Sequence, residues 1–194
     1  MKQTILFFLC CFALIGPVPG QADEPKTALL LIDIQAFYFD TTRAPLVGRE
    51  EASLQAGKVL EHFRETGQEV VHIKHKGGGK IHEYVKPLPD ETVFVKQHVN
   101  CFRETPLLGH LQAEGIERLV LAGMMTHMCV EAAARAADDL GFETILIHDA
   151  CATRDISFED RIIAAQDVHL STLSTLQAYV TIMSTSEYLE AEKE

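Results

Sequence analysis

Along nearly the whole chain, short apolar runs of strand length take turns with longer segments of helical period, and few folds accept that order. Residues 28–34 (ALLLIDI) form an apolar run broken only by an acid near its end, the pattern of a strand covered on both faces. Residues 50–66 carry Leu54, Val59, Leu60 and Phe63 at helical spacing and stop at Gly67. A strand over 69–73, a loop over 74–90, a β-branched strand over 92–96 and a helix over 107–114 ending at Gly115 come next. The pattern then predicts a strand over 118–122, a helix over 127–140 stopped by Gly141, a strand over 144–148, a long helix over 158–177 and a last strand over 179–183. Strands joined through crossover helices must run parallel, so the order predicts an α/β fold: a three-layer doubly wound sandwich with a mostly parallel sheet of about six strands. In such sheets ligands sit beyond the carboxyl ends of the strands. A functional residue is therefore sought at a strand end.

The N-terminus reads as a leader. Lys2 gives a positive start, residues 5–15 are apolar, and Gly20 and Ala22 place small residues where a signal peptidase reads. Residues 1–22 are expected to be a signal peptide and 23–194 a single domain, which makes the protein exported, periplasmic or secreted. The full chain carries −11, and loss of Lys2 makes the mature protein −12. That balance speaks against nucleic-acid partners and against an anionic membrane surface after leader cleavage. Of five cysteines, Cys10 and Cys11 lie in the leader, leaving Cys101, Cys129 and Cys151. None has the Cys-x-x-Cys spacing of a redox motif or zinc knuckle. The run His75-Lys76-Gly77-Gly78-Gly79-Lys80 lacks the Ser or Thr and the helix that a phosphate loop requires, and reads as a flexible surface loop able to border a site.

Three polar residues stand where strands end. Asp33 closes the first strand, Lys96 the third, and Cys129 lies in the turn after the fourth. Singly, such residues are commonly a cap, a solvated charge and inert packing. Together they compose a nucleophile with its two partners. A thiol near its reference value of about 8.5 is mostly protonated at neutral pH and needs help. A helix start and the Lys96 ammonium favour the thiolate, and Asp33 can accept the thiol proton and return it to a departing amine. The backbone N–H groups of Met125 and Cys129 are placed to hold an oxyanion.

With these residues in view, Asp33-Ile-Gln35, the stretch from Lys96 through Phe102 to Thr105 and Leu107, Gly-Met-Met-Thr-His-Met-Cys-Val ending at Val130, and Asp149-Ala-Cys-Ala-Thr153 resemble the isochorismatase-like cysteine hydrolase superfamily. The resemblance runs in order over essentially the whole chain after the leader. It implies an Asp–Lys–Cys triad of Asp33, Lys96 and Cys129, and a cis peptide at Met124–Met125 that aims the Met125 N–H at the oxyanion. It further implies a small-molecule amide or ureide as substrate, cleaved through a cysteine thioester, and a homo-oligomer.

Departures narrow that expectation. Nicotinamidases of the superfamily hold a metal on an Asp-x-His pair after the second strand, whereas His72-Ile-Lys-His75 offers no acid, so neither a metal nor another cofactor is expected. The cysteine disfavours vinyl-ether hydrolysis. Gln35, Tyr38, Phe102 and His127 are the candidate substrate-binding residues; core packing is nearly as good a reading for Tyr38 and Phe102. Two rivals stay open, a catalytically silent binding protein of the same fold and a thiol-redox protein acting through Cys101 or Cys151.

Overall fold

The computed structural model describes residues 24–42 and 46–193; the expected leader, residues 1–22, lies outside them. Among the described residues, six strands form one sheet in the order β3-β2-β1-β4-β5-β8. They are β1 (Thr27–Ile32), β2 (Glu69–His75), β3 (Thr92–Lys96), β4 (Arg118–Met124), β5 (Glu143–Ala152) and β8 (Thr181–Met183). Every neighbouring pair is parallel. Strand order reverses at β1, with β2 and β3 on one side and β4 and β5 on the other, which makes the β1/β4 boundary the crevice of a doubly wound sheet.

The unbroken apolar run of β1 is explained by its two faces. Ala28, Leu30 and Ile32 pack with α2 (Leu107–Ala113), α3 (Glu131–Asp139) and α4 (Ala165–Leu176). Leu29 and Leu31 pack on the other side with α1 (Arg49–Thr66) and α5 (Thr185–Ala191). All five β1 apolar residues are at most 2% exposed. Burial of this kind stabilises by roughly 25 cal/mol per Å² of apolar surface, so β1 is the spine of both cores. The expected three layers and parallel sheet are what the chain builds.

Three local expectations need correction, and one helix is added to them. The helix predicted over 158–177 begins only at Ala165; residues before it form a small antiparallel hairpin, β6 (Ile156–Phe158) and β7 (Arg161–Ile163). Glu159 at φ 51 turns this hairpin and no helix passes through it. What starts α4 instead is Asp155, whose Oδ1 accepts from the Ala165 N–H at 2.8 Å, a cap reaching across ten residues and invisible to a local reading. The helix predicted over 127–140 is split into a π-helical turn, Thr126–Val130, and α3. Strand β5 runs on to Ala152, past a register shift between Leu121 and Gly123 of its neighbour. Helix α5 was not expected, although Ser184 and Glu187 form a capping box that the Ser-x-x-Glu spacing announces.

The glycine loop after β2 lies at the surface and is tied to its neighbours by backbone hydrogen bonds. Ala36 and Phe37 N–H groups donate to Lys80 and Gly78 carbonyls at 2.9 and 3.2 Å, and the Lys76 N–H donates to the Lys96 carbonyl at 2.9 Å.

Candidate active site

The carboxyl ends of β1 and β3 and the turn after β4 bring Asp33, Lys96 and Cys129 together. At the end of β1 the chain turns sharply: Asp33 sits at φ 52, with its N–H donating to the Ile73 carbonyl at 2.9 Å. Aspartate is among the few side chains that tolerate this conformation, which costs on the order of 1 kcal/mol. Lys96 ends β3, and its side chain runs inward along the sheet. Its Nζ lies 2.7 Å from Asp33 Oδ2 and 3.1 Å from Cys129 Sγ. It also donates to the carbonyls of His98 and Val99 at 3.1 and 3.3 Å. Asp33 and Lys96 are 1% exposed and Cys129 5%. Neither Asp33 oxygen receives a well-directed hydrogen bond, so the 2.7 Å approach is an ion pair rather than an aligned bond, and the carboxylate keeps lone pairs free.

Electrostatics depart from the expectation of a preformed thiolate. Burial, and after it the Asp33 carboxylate, push the Cys129 thiol up to about 11, against the opposing pull of Lys96. The fold explains the difference: the thiol is buried, and Asp33 beside it offsets the pull of Lys96. Both causes favour the protonated thiol. For Lys96, burial opposes the charge, but Asp33 and the sulfur outweigh it and hold the ammonium above its ordinary value.

The turn that carries the sulfur is set by close packing. Gly123 sits at φ 143 with its missing Cβ position 2.0 Å from the Ile32 carbonyl oxygen, so no side chain fits where β4 presses on β1. The Met124–Met125 peptide is cis. Thr126, fully buried, bonds through Oγ1 to His169 Nδ1 of α4 at 2.9 Å, tying the turn to a helix 43 residues further on. No sequence signal announces His169 in that role.

Above the sulfur lies a pocket of about 300 Å³. Its apolar wall includes Phe37, Tyr38, Val99, Met125 and Met128, and its rim is the glycine loop from His75 to Gly78. Burial, with Cys129 and Asp33, pushes the Tyr38 phenol up, so it remains an O–H donor. Gln35 borders the pocket with its amide engaged elsewhere. Its Oε1 accepts from the His75 N–H at 2.7 Å, and its Nε2 donates to the His75 and Gly79 carbonyls at 3.2 and 3.1 Å. A Cβ at Gly78 would lie 2.6 Å from that Nε2, which is why glycine stands there. Gln35 thus shapes the rim.

Two candidates are placed away from this pocket. Phe102 stacks on Phe142 with ring centroids 6.3 Å apart and packs against the core under α2 and α3. His127 turns from the pocket, its Nδ1 2.5 Å from Thr153 Oγ1. Spacing alone places both near the nucleophile; the π-helical turn rotates His127 outward. His72 and His75 do not cooperate, because residues three apart on a strand face opposite sides. His72 Nε2 meets Glu91 Oε2 at 2.9 Å, and His75 lines the pocket. Among the described residues, no group of three or more His, Cys, Asp or Glu is arranged to hold a metal.

Comparison with known proteins bears on this geometry. The Isochorismatase domain family matches residues 27–186. The isochorismatase family protein YddQ of Bacillus subtilis (strain 168) is 41% identical over 178 residues, covering 84% of this chain and 99% of that protein. Maleamate amidohydrolase of Pseudomonas putida is 32% identical over 157 residues, covering 66% of this chain and 73% of that protein. A crystal structure of an isochorismatase hydrolase from Oleispira antarctica superposes with a TM-score of 0.83 at 41% identity, covering 88% of this chain and all of that one. A match running from the first residue of β1 into α5, on a sheet whose switch point holds the buried carboxylate, ammonium and thiol, establishes that the chain belongs to the isochorismatase family.

Proposed function

We propose that the protein is a hydrolase that cleaves the C–N bond of a small amide or ureide through a thioester on Cys129. One observation carries the reading: a single buried ammonium, Lys96 Nζ, lies 2.7 Å from a carboxylate and 3.1 Å from a thiol that lines the pocket. Such a constellation is costly to bury and has no packing purpose that a hydrophobic trio would not serve better.

In the first half-reaction the substrate carbonyl carbon sits over Cys129 Sγ. Asp33 takes the thiol proton as the S–C bond forms, since a thiol held near 11 does not ionise by itself at neutral pH. Lys96 stabilises the charge that develops on sulfur, and the N–H groups of Met125 and Cys129 receive the oxyanion. Asp33 then delivers its proton to the nitrogen, the C–N bond breaks, and the amine or ammonia leaves. In the second half-reaction Asp33 takes a proton from water, the hydroxide adds to the thioester, and collapse returns the proton to sulfur and releases the acid. The Tyr38 hydroxyl is assigned to orient the substrate. The likeness to maleamate amidohydrolase supports C–N cleavage of a small, non-peptide substrate.

The test is a screen of the purified protein against small amides and ureides, reading ammonia or amine release, with Cys129→Ala as control. Turnover abolished in the variant, together with a rapid-quench mass increase on Cys129 equal to the acyl group, is the expected result. Binding without turnover or adduct would instead identify a silent member of the fold. Export is proposed with this activity, from the leader-like pattern of residues 1–22.

A further inference from the structure

The glycine-loop rim holds one group that the mechanism above leaves unused. His75 is the last residue of β2 and the register partner of Lys96 on β3. Directly opposed residues of a parallel pair emerge on the same face, and along β2 the residues sharing that face with His75 are Val71 and Ile73. Both belong to the core that contains Cys129, so the His75 side chain rises on the sulfur side of the sheet and lines the same pocket. Its neighbour on the other face, His72, is committed to Glu91.

The ring is also held in a defined state. His75 Nδ1 lies 2.9 Å from the carbonyl oxygen of Lys76. A carbonyl only accepts, so Nδ1 carries the hydrogen, and in the neutral ring Nε2 carries a lone pair. No protein group bonds Nε2 among the described residues. The backbone beneath is clamped on both sides: Gln35 accepts from the His75 N–H, and Gln35 and Gly78 both donate to its carbonyl. A pinned imidazole with one nitrogen spoken for and the other free, at the edge of a pocket walled largely by apolar side chains, is a placed hydrogen-bond acceptor.

We propose that His75 recognises the scissile nitrogen, its Nε2 accepting the N–H of a substrate amide or ureide, so that the site prefers substrates with an N–H over esters and fully substituted amides. The inference rests on the amidase reading and adds to it the group that reads the leaving nitrogen. Holding one N–H fixes rotation about the C–N bond. As the carbon becomes tetrahedral, the nitrogen's developing lone pair is then turned away from His75 and toward the proton on Asp33. An ester offers no hydrogen here, and its oxygen lone pairs would face the imidazole lone pair. Such a site discriminates because an unmatched substrate covers the acceptor on binding without pairing it.

The experiment has two arms. In the first, kcat/KM is measured for the panel amide turned over best and for the methyl ester of the same acid, in wild type, His75→Leu and His75→Gln. Loss of one such hydrogen bond predicts that the amide-to-ester ratio falls about ten- to a hundred-fold in His75→Leu. It recovers in part in His75→Gln, whose amide oxygen reaches toward the position of Nε2. In the second arm, Cys129→Ala protein with and without His75→Leu is titrated calorimetrically with benzamide and with methyl benzoate. Benzamide binding should weaken several-fold, and methyl benzoate should not follow. An unchanged amide-to-ester ratio, equal losses on both substrates in the two arms, or no benzamide binding by any variant overturns the proposal. Turnover with an unchanged ratio sinks His75 alone, whereas selective benzamide binding without turnover in wild type sinks the hydrolase reading alone.

Discussion

Replacing Lys96 by methionine keeps most of the apolar stem of the side chain and removes its terminal ammonium. In the folded protein Asp33 Oδ2 and Lys96 Nζ are 2.7 Å apart with both residues 1% exposed. At an effective dielectric constant of about 20, two unit charges at that distance attract by about 6 kcal/mol. That attraction offsets the cost of taking both ions out of water. Removal of one partner leaves the other's desolvation uncompensated, and the expected loss is about 3–5 kcal/mol for Lys96→Met and for Asp33→Asn alike. The double variant carries no buried ion and should return to within about 1 kcal/mol of wild type, giving a strongly non-additive cycle. The pH responses of the single variants differ in sign. Acid should ease the penalty in Lys96→Met, where the orphaned carboxylate takes up a proton, and alkali should ease it in Asp33→Asn, where the orphaned ammonium gives one up. Urea unfolding at several pH values measures all of this, and hydrolysis should be lost in all three variants. Additive losses in the double variant, or single variants as stable as wild type, would refute the claim that a buried, mutually dependent charge pair sits beneath the sulfur.

Two further outcomes follow from the geometry. Gly123→Ala forces a Cβ to within 2.0 Å of the Ile32 carbonyl at φ 143 and should destabilise by about 3 kcal/mol or more, read by chemical unfolding; a loss below about 1 kcal/mol would show that β4 can move off β1. Burial works against the charge of Glu91, but Arg64, the Leu88 N–H and His72 outweigh it and hold the carboxyl down to about 2. Its contribution is therefore complete above the ordinary carboxylate range and is lost as pH falls through about 2, so Glu91→Gln should be less stable at neutral pH and show a shallower acid loss; equal pH slopes for variant and wild type would contradict the assignment.

The alternation of the main strands and helices, and the polar residues that close strands, are legible in the amino-acid order alone. Both are written in short-range periodicity: an apolar run such as residues 28–32 has to be covered on both faces, and covering helices force parallel strands with their functional ends on one rim. Asp33, Lys96 and Cys129 could be picked out because each interrupts such a pattern. Tertiary structure decided everything that depends on which way a side chain turns once the chain closes on itself. The π-helical turn directed His127 at Thr153 and left Cys129 facing the pocket, the Asp155 cap replaced a predicted stretch of helix with a hairpin, and the register of β2 against β3 put His75 beside Lys96. Burial of the thiol, with the Asp33 carboxylate beside it, likewise raised it, where a lysine beside an exposed thiol would have lowered it. These outcomes come from contacts between residues tens of positions apart, and no local pattern of amino acids encodes the free energy of a contact that does not yet exist.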